Sequence, residues 1–222
     1  MAYNRTMRLL SCPLPGPLAS PLRVLAFATL VFLPGCATTV ITPEVAEGEA
    51  VSVFILDHGR HASLLLPAAT GGSVRYSYGD WNYYALRRTG LGDGMRALLG
   101  ASDATLGRQR LPGIAPDPTT VQVQLQRRLA VKLIAAHEIR VPSLRAEALH
   151  QHLEEKFRRG ARVRQTRWPG DDTDFVAHPR EYSFTHNSNF MIGHWLTALG
   201  CEVHGRPVLS RWRIQAPSPA QR

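Results

Sequence analysis

The stretch Val51–Tyr78, VSVFILDHGRHASLLLPAATGGSVRYSY, decides the fold class. Val51–Leu56 is a continuous apolar run of strand length, and Ala62–Leu66 is a second. Gly71-Gly72 marks a tight turn into Ser73–Tyr78, a third strand. Working outward, Asp80–Arg88 and Gly92–Leu99 read as helical. Thr119–Gln126 alternates apolar and polar residues, which predicts a half-buried strand. Val131–Val141 holds another strand. Pro142-Ser143 then opens the best helix, Leu144–Arg159, with Ser143 as N-cap and Gly160 as stop. Arg162–Trp168 reads as a strand, Pro169–Asp172 as a turn, Phe190–Leu199 as an apolar helix ending at Gly200, and Val208–Ile214 as a closing strand. There are no internal repeats. Clustered strands with few helices predict an α+β fold.

The segment before this domain has a different character. Residues 1–23 carry Arg5, Arg8 and Arg23 and no acid, and Val24–Leu33 is apolar. That run is the length of a signal-peptide core and short of the ~20 residues of a membrane span. It ends Leu33-Pro34-Gly35-Cys36, the pattern of a lipoprotein cleavage site whose cysteine thiol takes a diacylglycerol. The expected organisation is a signal peptide over 1–35, a lipidated tether over 36–49, one domain over 50–216 and a frayed tail over 217–222. Met7 is an alternative start. Ala37 after the anchor, in place of Asp, favours the outer membrane facing the periplasm in a host with two membranes.

Cleavage leaves 187 of the 222 residues, enough for one real core, and lowers the net charge from +9 to about +6. Such a charge favours phospholipid headgroups, lipopolysaccharide or cell-wall polymers, unless the arginines serve solubility alone. An export signal argues against nucleic acid as the partner. Cys12 leaves with the leader and Cys36 is lipidated, so Cys201 stands alone and reads as a small buried hydrophobe.

Two groups carry candidate chemistry. Asp57-His58-Gly59-Arg60-His61 lies between the first two strands, and Thr185-His186-Asn187-Ser188-Asn189 precedes the apolar helix. Ser188 in the first turn of a helix gains from free N–H groups and the helix dipole, and an oxyanion can be held there. Asn187 or Ser188 can equally be an ordinary N-cap. His58 and His61 are spaced for opposite faces of a strand, so a shared metal is not expected unless a turn intervenes. Zinc would also need His186 or His178 without a recognisable spacing. No cofactor is expected.

These residues resemble an uncharacterised family of bacterial envelope lipoproteins, labelled urease-region conserved hypothetical proteins (domain of unknown function 2459), across most of the mature domain. His58-Gly59-Arg60-His61, with Ala62–Pro67 after it, is similar to the family's His-Gly-Trp-His block and strand. Tyr78-Gly79-Asp80 with Tyr83-Tyr84 is similar to its Gly-Asp and Phe-Tyr block. Asp174-Phe175, Tyr182-Ser183 and Asn187-Ser188-Asn189 are similar to its Asp-Phe-Tyr, Tyr and Thr-Cys-Asn block, the last aligned through the spacing to Gly200. That family is in turn similar to circularly permuted papain-like cell-wall peptidases and lipid acyltransferases. The resemblance implies a papain-like, circularly permuted antiparallel sheet with a nucleophile-type helix packed on it. It implies Ser188 as nucleophile, His61 as base and Asp80 as its orienting group, with His58, Asn187, Asn189 and Asp174 in the cleft.

The departure from the family is central. Serine stands at 188 where the family has cysteine, and Met191 where it has tryptophan. A thiol ionises near 8.5 and attacks as thiolate, whereas a serine hydroxyl depends wholly on its base. Two functions stay open. One is a non-catalytic lipoprotein binding cell wall, lipid or another envelope protein. The other is a Ser-His hydrolase or acyltransferase acting on an amide or ester of peptidoglycan or lipid.

Overall fold

The computed structural model describes residues 37–88, 102–161, 163–165 and 171–217. The leader, Cys36, the expected Gly92–Leu99 helix and most of the tail lie outside them. The fold is α+β with sheet dominant. Its strands are β1 (Thr38–Ile41), β2 (Ala50–Asp57), β3 (Ala62–Pro67), β4 (Ser73–Asp80), β5 (Ser102–Leu111), β6 (Ala135–Pro142), β7 (Arg164–Gln165), β8 (Asp174–Tyr182), β9 (Glu202–His204) and β10 (Trp212–Gln215). Its α-helices are α1 (Val121–Arg128), α2 (Ser143–Arg159) and α3 (Ser188–Ala198). Among the described residues no helix is long and apolar enough to cross a membrane.

Seven strands form one antiparallel sheet in the order β6-β2-β3-β4-β5-β8-β7. Successive side chains on a strand face opposite ways, so each strand feeds both faces. Val53, Ile55, Leu64, Leu66, Tyr76 and Leu106 face α2 and α3, which answer with Leu149, Leu153, Ile192, Trp195 and Leu196. Phe54, Leu56, Leu65 and Leu111 face the other way, under Val121 and Leu125 of α1. Burial on both faces is why β2 and β3 are continuous apolar runs rather than alternating ones. Gly72 turns β3 into β4 at φ 76°, and a Cβ there would lie 2.6 Å from the Leu111 carbonyl oxygen.

Several expectations need correction. Thr119–Gln126 is not a strand; α1 occupies Val121–Arg128. Its valines alternate, but Val121 and Leu125 are the buried pair and Val123 is half exposed. That is an i, i+4 stripe, and the intervening glutamines and arginines are good helix formers. Asp117 starts the turn: its carboxylate accepts from the Thr119 N–H at 2.9 Å, and its carbonyl accepts from the Val121 N–H at 2.9 Å. Ser143 is the first helical residue of α2 rather than its cap, and its N–H donates to the Glu49 carbonyl at 2.9 Å. Asp80–Arg88 contains only one π-helical turn, Trp81–Ala85. The Arg162–Trp168 strand is limited to Arg164–Gln165 among the described residues, and the closing strand is Trp212–Gln215.

The expected tether is the largest change. Thr38–Ile41 is a strand in a second, three-stranded sheet, β10-β1-β9, parallel to β10 and antiparallel to β9. Thr38 and Val40 are buried, and Val40 packs in the main core with Trp212.

Candidate functional site

The turn between β2 and β3 brings two histidines onto one side. Asp57 Oδ1 accepts from the Gly59 N–H at 2.6 Å, and the His58 N–H donates to the His61 carbonyl at 3.0 Å. Gly59 sits at φ 95°, a conformation that a side chain would strain. The His58 and His61 rings consequently stack with centroids 4.7 Å apart. The strand spacing alone predicted opposite faces; the intervening turn reverses that.

Hydrogen bonds fix the tautomer of His58. Its Nδ1 lies 2.9 Å from the Lys132 carbonyl, which can only accept, so Nδ1 carries the proton. Nε2 is then an acceptor, and the Ser63 hydroxyl donates to it at 3.0 Å. Burial, then the nearby Arg75 charge and His61, lower the pKa of His58 to about 3. Burial and Arg75 lower that of His61 to about 4, with Asp57 opposing. Both rings are neutral at neutral pH.

Beyond α1, this face of the sheet opens into a cleft of about 550 Å³ that includes both histidines, Ser63, Arg75, Ser77 and Tyr84. Tyr84 meets His61 edge-on at 5.6 Å. Its ring lies so close over Gly79 that a Cβ there would be 2.2 Å from it. Arg75 is 9 % exposed and has no hydrogen-bond partner among the described residues, its Nε being sealed from solvent. Burial lowers its pKa, opposed by Asp171, Tyr84 and Asp172; an arginine keeps its charge nonetheless. Asp171, at the rim, is ion-paired with Arg87. Burial opposes its ionisation, but bonds from Thr173 and Arg87, and the Arg75 charge, hold it below the usual carboxylate range.

The expected site residues do not all meet here. Ser188 begins α3 and is 2 % exposed. That helix packs on the face carrying Leu64 and Tyr76, whereas the cleft lies on the face carrying Ser63, Arg75 and Ser77. Among the described residues no hydrogen bond links Ser188 to His61. Asn187 is the N-cap of α3: its Oδ1 accepts from the Phe190 N–H at 3.1 Å. Asn189 Nδ2 donates to the carbonyls of Arg60 at 3.0 Å and Val208 at 3.1 Å, clamping the helix start to the histidine turn. Asp80 caps the π-helical turn through the Tyr83 N–H at 2.6 Å and accepts a short bond from Ser102. Its carboxylate is thus engaged away from His61. Asp174 is on the helix-covered face, 3.5 Å from Arg108. Cys201 is buried and burial pushes its thiol up to about 11.

Of the residues lining this cleft, His58 and His61 are expected from the sequence as site residues, and Ser63, Arg75, Ser77, Tyr84 and Asp171 are not. One signal was present. In Ser73–Tyr78, Arg75 and Ser77 interrupt apolar residues at a spacing of two, which places a charge on one face of a buried strand. Among the described residues no group of three or more His, Cys, Asp or Glu is placed to hold a metal. Compared with family models, curated proteins and solved structures, the chain matches none.

Proposed function

We propose that this chain is an envelope lipoprotein, held through lipid on Cys36, whose permuted papain-like domain binds an anionic cell-wall or lipid ligand in the Arg75 cleft. The anchoring membrane is the outer one, facing the periplasm. The chain order supports the permuted reading: a histidine-bearing hairpin comes first, and a helix packed on an antiparallel sheet comes later. Binding without turnover is favoured because α3 packs on the face opposite the cleft and, among the described residues, no hydrogen bond links Ser188 to His61.

The observation that carries the binding reading is the buried guanidinium of Arg75, whose Nε is sealed from solvent with no hydrogen-bond partner among the described residues. Leaving such a group without hydrogen bonds is costly, and a carboxylate or phosphate oxygen supplies what it lacks. Binding of peptidoglycan fragments and of anionic phospholipid vesicles, compared between the wild type and Arg75→Gln, tests it. The variant is expected to weaken binding of one of them by more than about tenfold. Equal binding by both proteins defeats the reading.

One observation favours a hydrolase instead. Ser63, His58 and the Lys132 carbonyl stand in the relation of nucleophile, base and orienting group. The lowered pKa makes His58 a weak base, which favours binding over turnover. A serine-reactive fluorophosphonate separates the readings: labelling lost in Ser63→Ala or Ser188→Ala establishes an enzyme, and no labelling supports the binder.

A further inference from the structure

The strand nearest the anchor cysteine also carries an arrangement that the cleft does not use. Cys36 is two residues from Thr38, and consecutive Cα atoms are ~3.8 Å apart, so two peptide links are all the chain that separates the attachment point of the proposed lipid from β1. Thr38 is fixed: its N–H donates to the Arg211 carbonyl at 2.8 Å, and a Cβ on Gly205 would lie 3.7 Å from the Ala37 carbonyl oxygen. The Gly205–Arg211 loop is therefore tied to the anchor end of the domain at both of its ends.

That loop also meets the start of α3. Asn187 Nδ2 donates to the Val208 carbonyl at 3.0 Å and to the Phe184 carbonyl at 3.1 Å, while its Oδ1 holds the Phe190 N–H. One amide thus gathers three segments, and each exposes an apolar side chain: Phe184 at 52 %, Phe190 at 40 % and Leu209 at 44 %. Arg206 and Arg211 are exposed on the same loop. Apolar side chains bordered by arginine suit the boundary between acyl chains and anionic headgroups.

We infer that Phe184, Phe190 and Leu209 form a membrane-facing surface, so that the lipid on Cys36 holds the domain flush on the bilayer rather than on a flexible stalk. This rests on the lipoprotein reading. The occupant is the bilayer that holds the anchor, because a strand begins within two residues of the lipidated cysteine and leaves no slack to lift this end away.

The test uses the full chain, lipidated in a bacterial host, extracted and reconstituted into vesicles of phosphatidylethanolamine with phosphatidylglycerol. In a Cys201→Ala background, Phe184→Cys, Leu209→Cys and Thr70→Cys each receive an environment-sensitive fluorophore. Thr70 is exposed in the β3–β4 turn, at the far end of β3 from the histidine turn. Blue-shifted, brighter emission at 184 and 209 with a water-like signal at 70 is the expected result. Water-like emission at all three sites, in protein that floats with the vesicles, overturns the surface while leaving the anchor intact. Protein that takes up no palmitate and does not float overturns the anchor, and the orientation with it. A shift at 184 and 209 already present in detergent and rising with protein concentration identifies a second copy as the occupant and also overturns the assignment.

Discussion

On one face of the seven-stranded sheet, Leu64, Leu66, Tyr76 and Leu106 lie under two helices with Leu149, Leu153 and Leu196. On the other, one residue along the same strands, Ser63, Arg75 and Ser77 stand in an open cleft beside two stacked histidines. The first face removes apolar area from water and stabilises the fold. The second keeps a buried charge, two neutral imidazoles and a hydroxyl where helix packing could have covered them. On the proposed function, stability rests on the helix-covered face and on the part of the other face under α1, binding belongs to the cleft, and substitutions at Leu196 and at Arg75 should have opposite signs.

The largest effect is expected on the covered face. Leu196→Ala removes a fully buried side chain from α3 and should cost about 2–5 kcal/mol in urea unfolding. A smaller cost would mean that α3 is loosely packed and that the contrast between faces is overdrawn. On the cleft face, Arg75→Met should stabilise by about 1–4 kcal/mol while abolishing ligand binding. Asp171 keeps Arg87 as its partner, so the substitution leaves no orphaned carboxylate. A destabilised Arg75→Met would show instead that the guanidinium serves the fold.

The histidines give the next test. Their folded pKa values, about 3 and 4, lie below the unfolded value of 6.5. Between pH 6.5 and about 4 the unfolded chain therefore binds more protons, and stability falls as pH falls. Each histidine contributes up to about 1.4 kcal/mol per pH unit. Urea midpoints measured across that range should flatten in His58→Gln and in His61→Gln; an unchanged slope in both removes the half-buried pair from the description. The smallest effect is at the junction of the faces. Asn187→Ala removes the cap of α3 and should cost about 1 kcal/mol, with faster amide exchange in its first turn. No change would locate the helix start in other contacts.

The elements most legible in the sequence are those whose burial is uniform. β2 and β3, apolar throughout, and α2 and α3, apolar at helical spacing, are plain in the residues. β5 and β8 are not, because their polar residues are paired across the fold. Arg108 meets Glu154 at 2.8 Å and Gln109 meets Asp172 at 2.8 Å, so SDATLGRQRL is a buried strand that looks like a loop. α1 was misread because valines two apart fit a strand and a helix alike. The site divides in the same way. His58, His61 and Ser63 are close in sequence, but Arg75, Tyr84 and Asp171 converge only through strand register and loop closure. The residues that carry the family resemblance fall at the histidine turn and at the start of α3, and their spacing carries no information on which face each side chain takes.

The parallel pairing of β1 with β10 has a kinetic consequence. Thr38 pairs with Trp212, so the small sheet joins nearly the first described residue to nearly the last. Contacts of such long sequence separation form late, since the loop-closure entropy must be met before they contribute. Within the seven-stranded sheet the β2-β3-β4 hairpins are local and can assemble early, whereas β1 waits for β9 and β10. The three-stranded sheet acts as a closing clasp, and any loss at residues 202–215 would release β1 while the larger sheet persists.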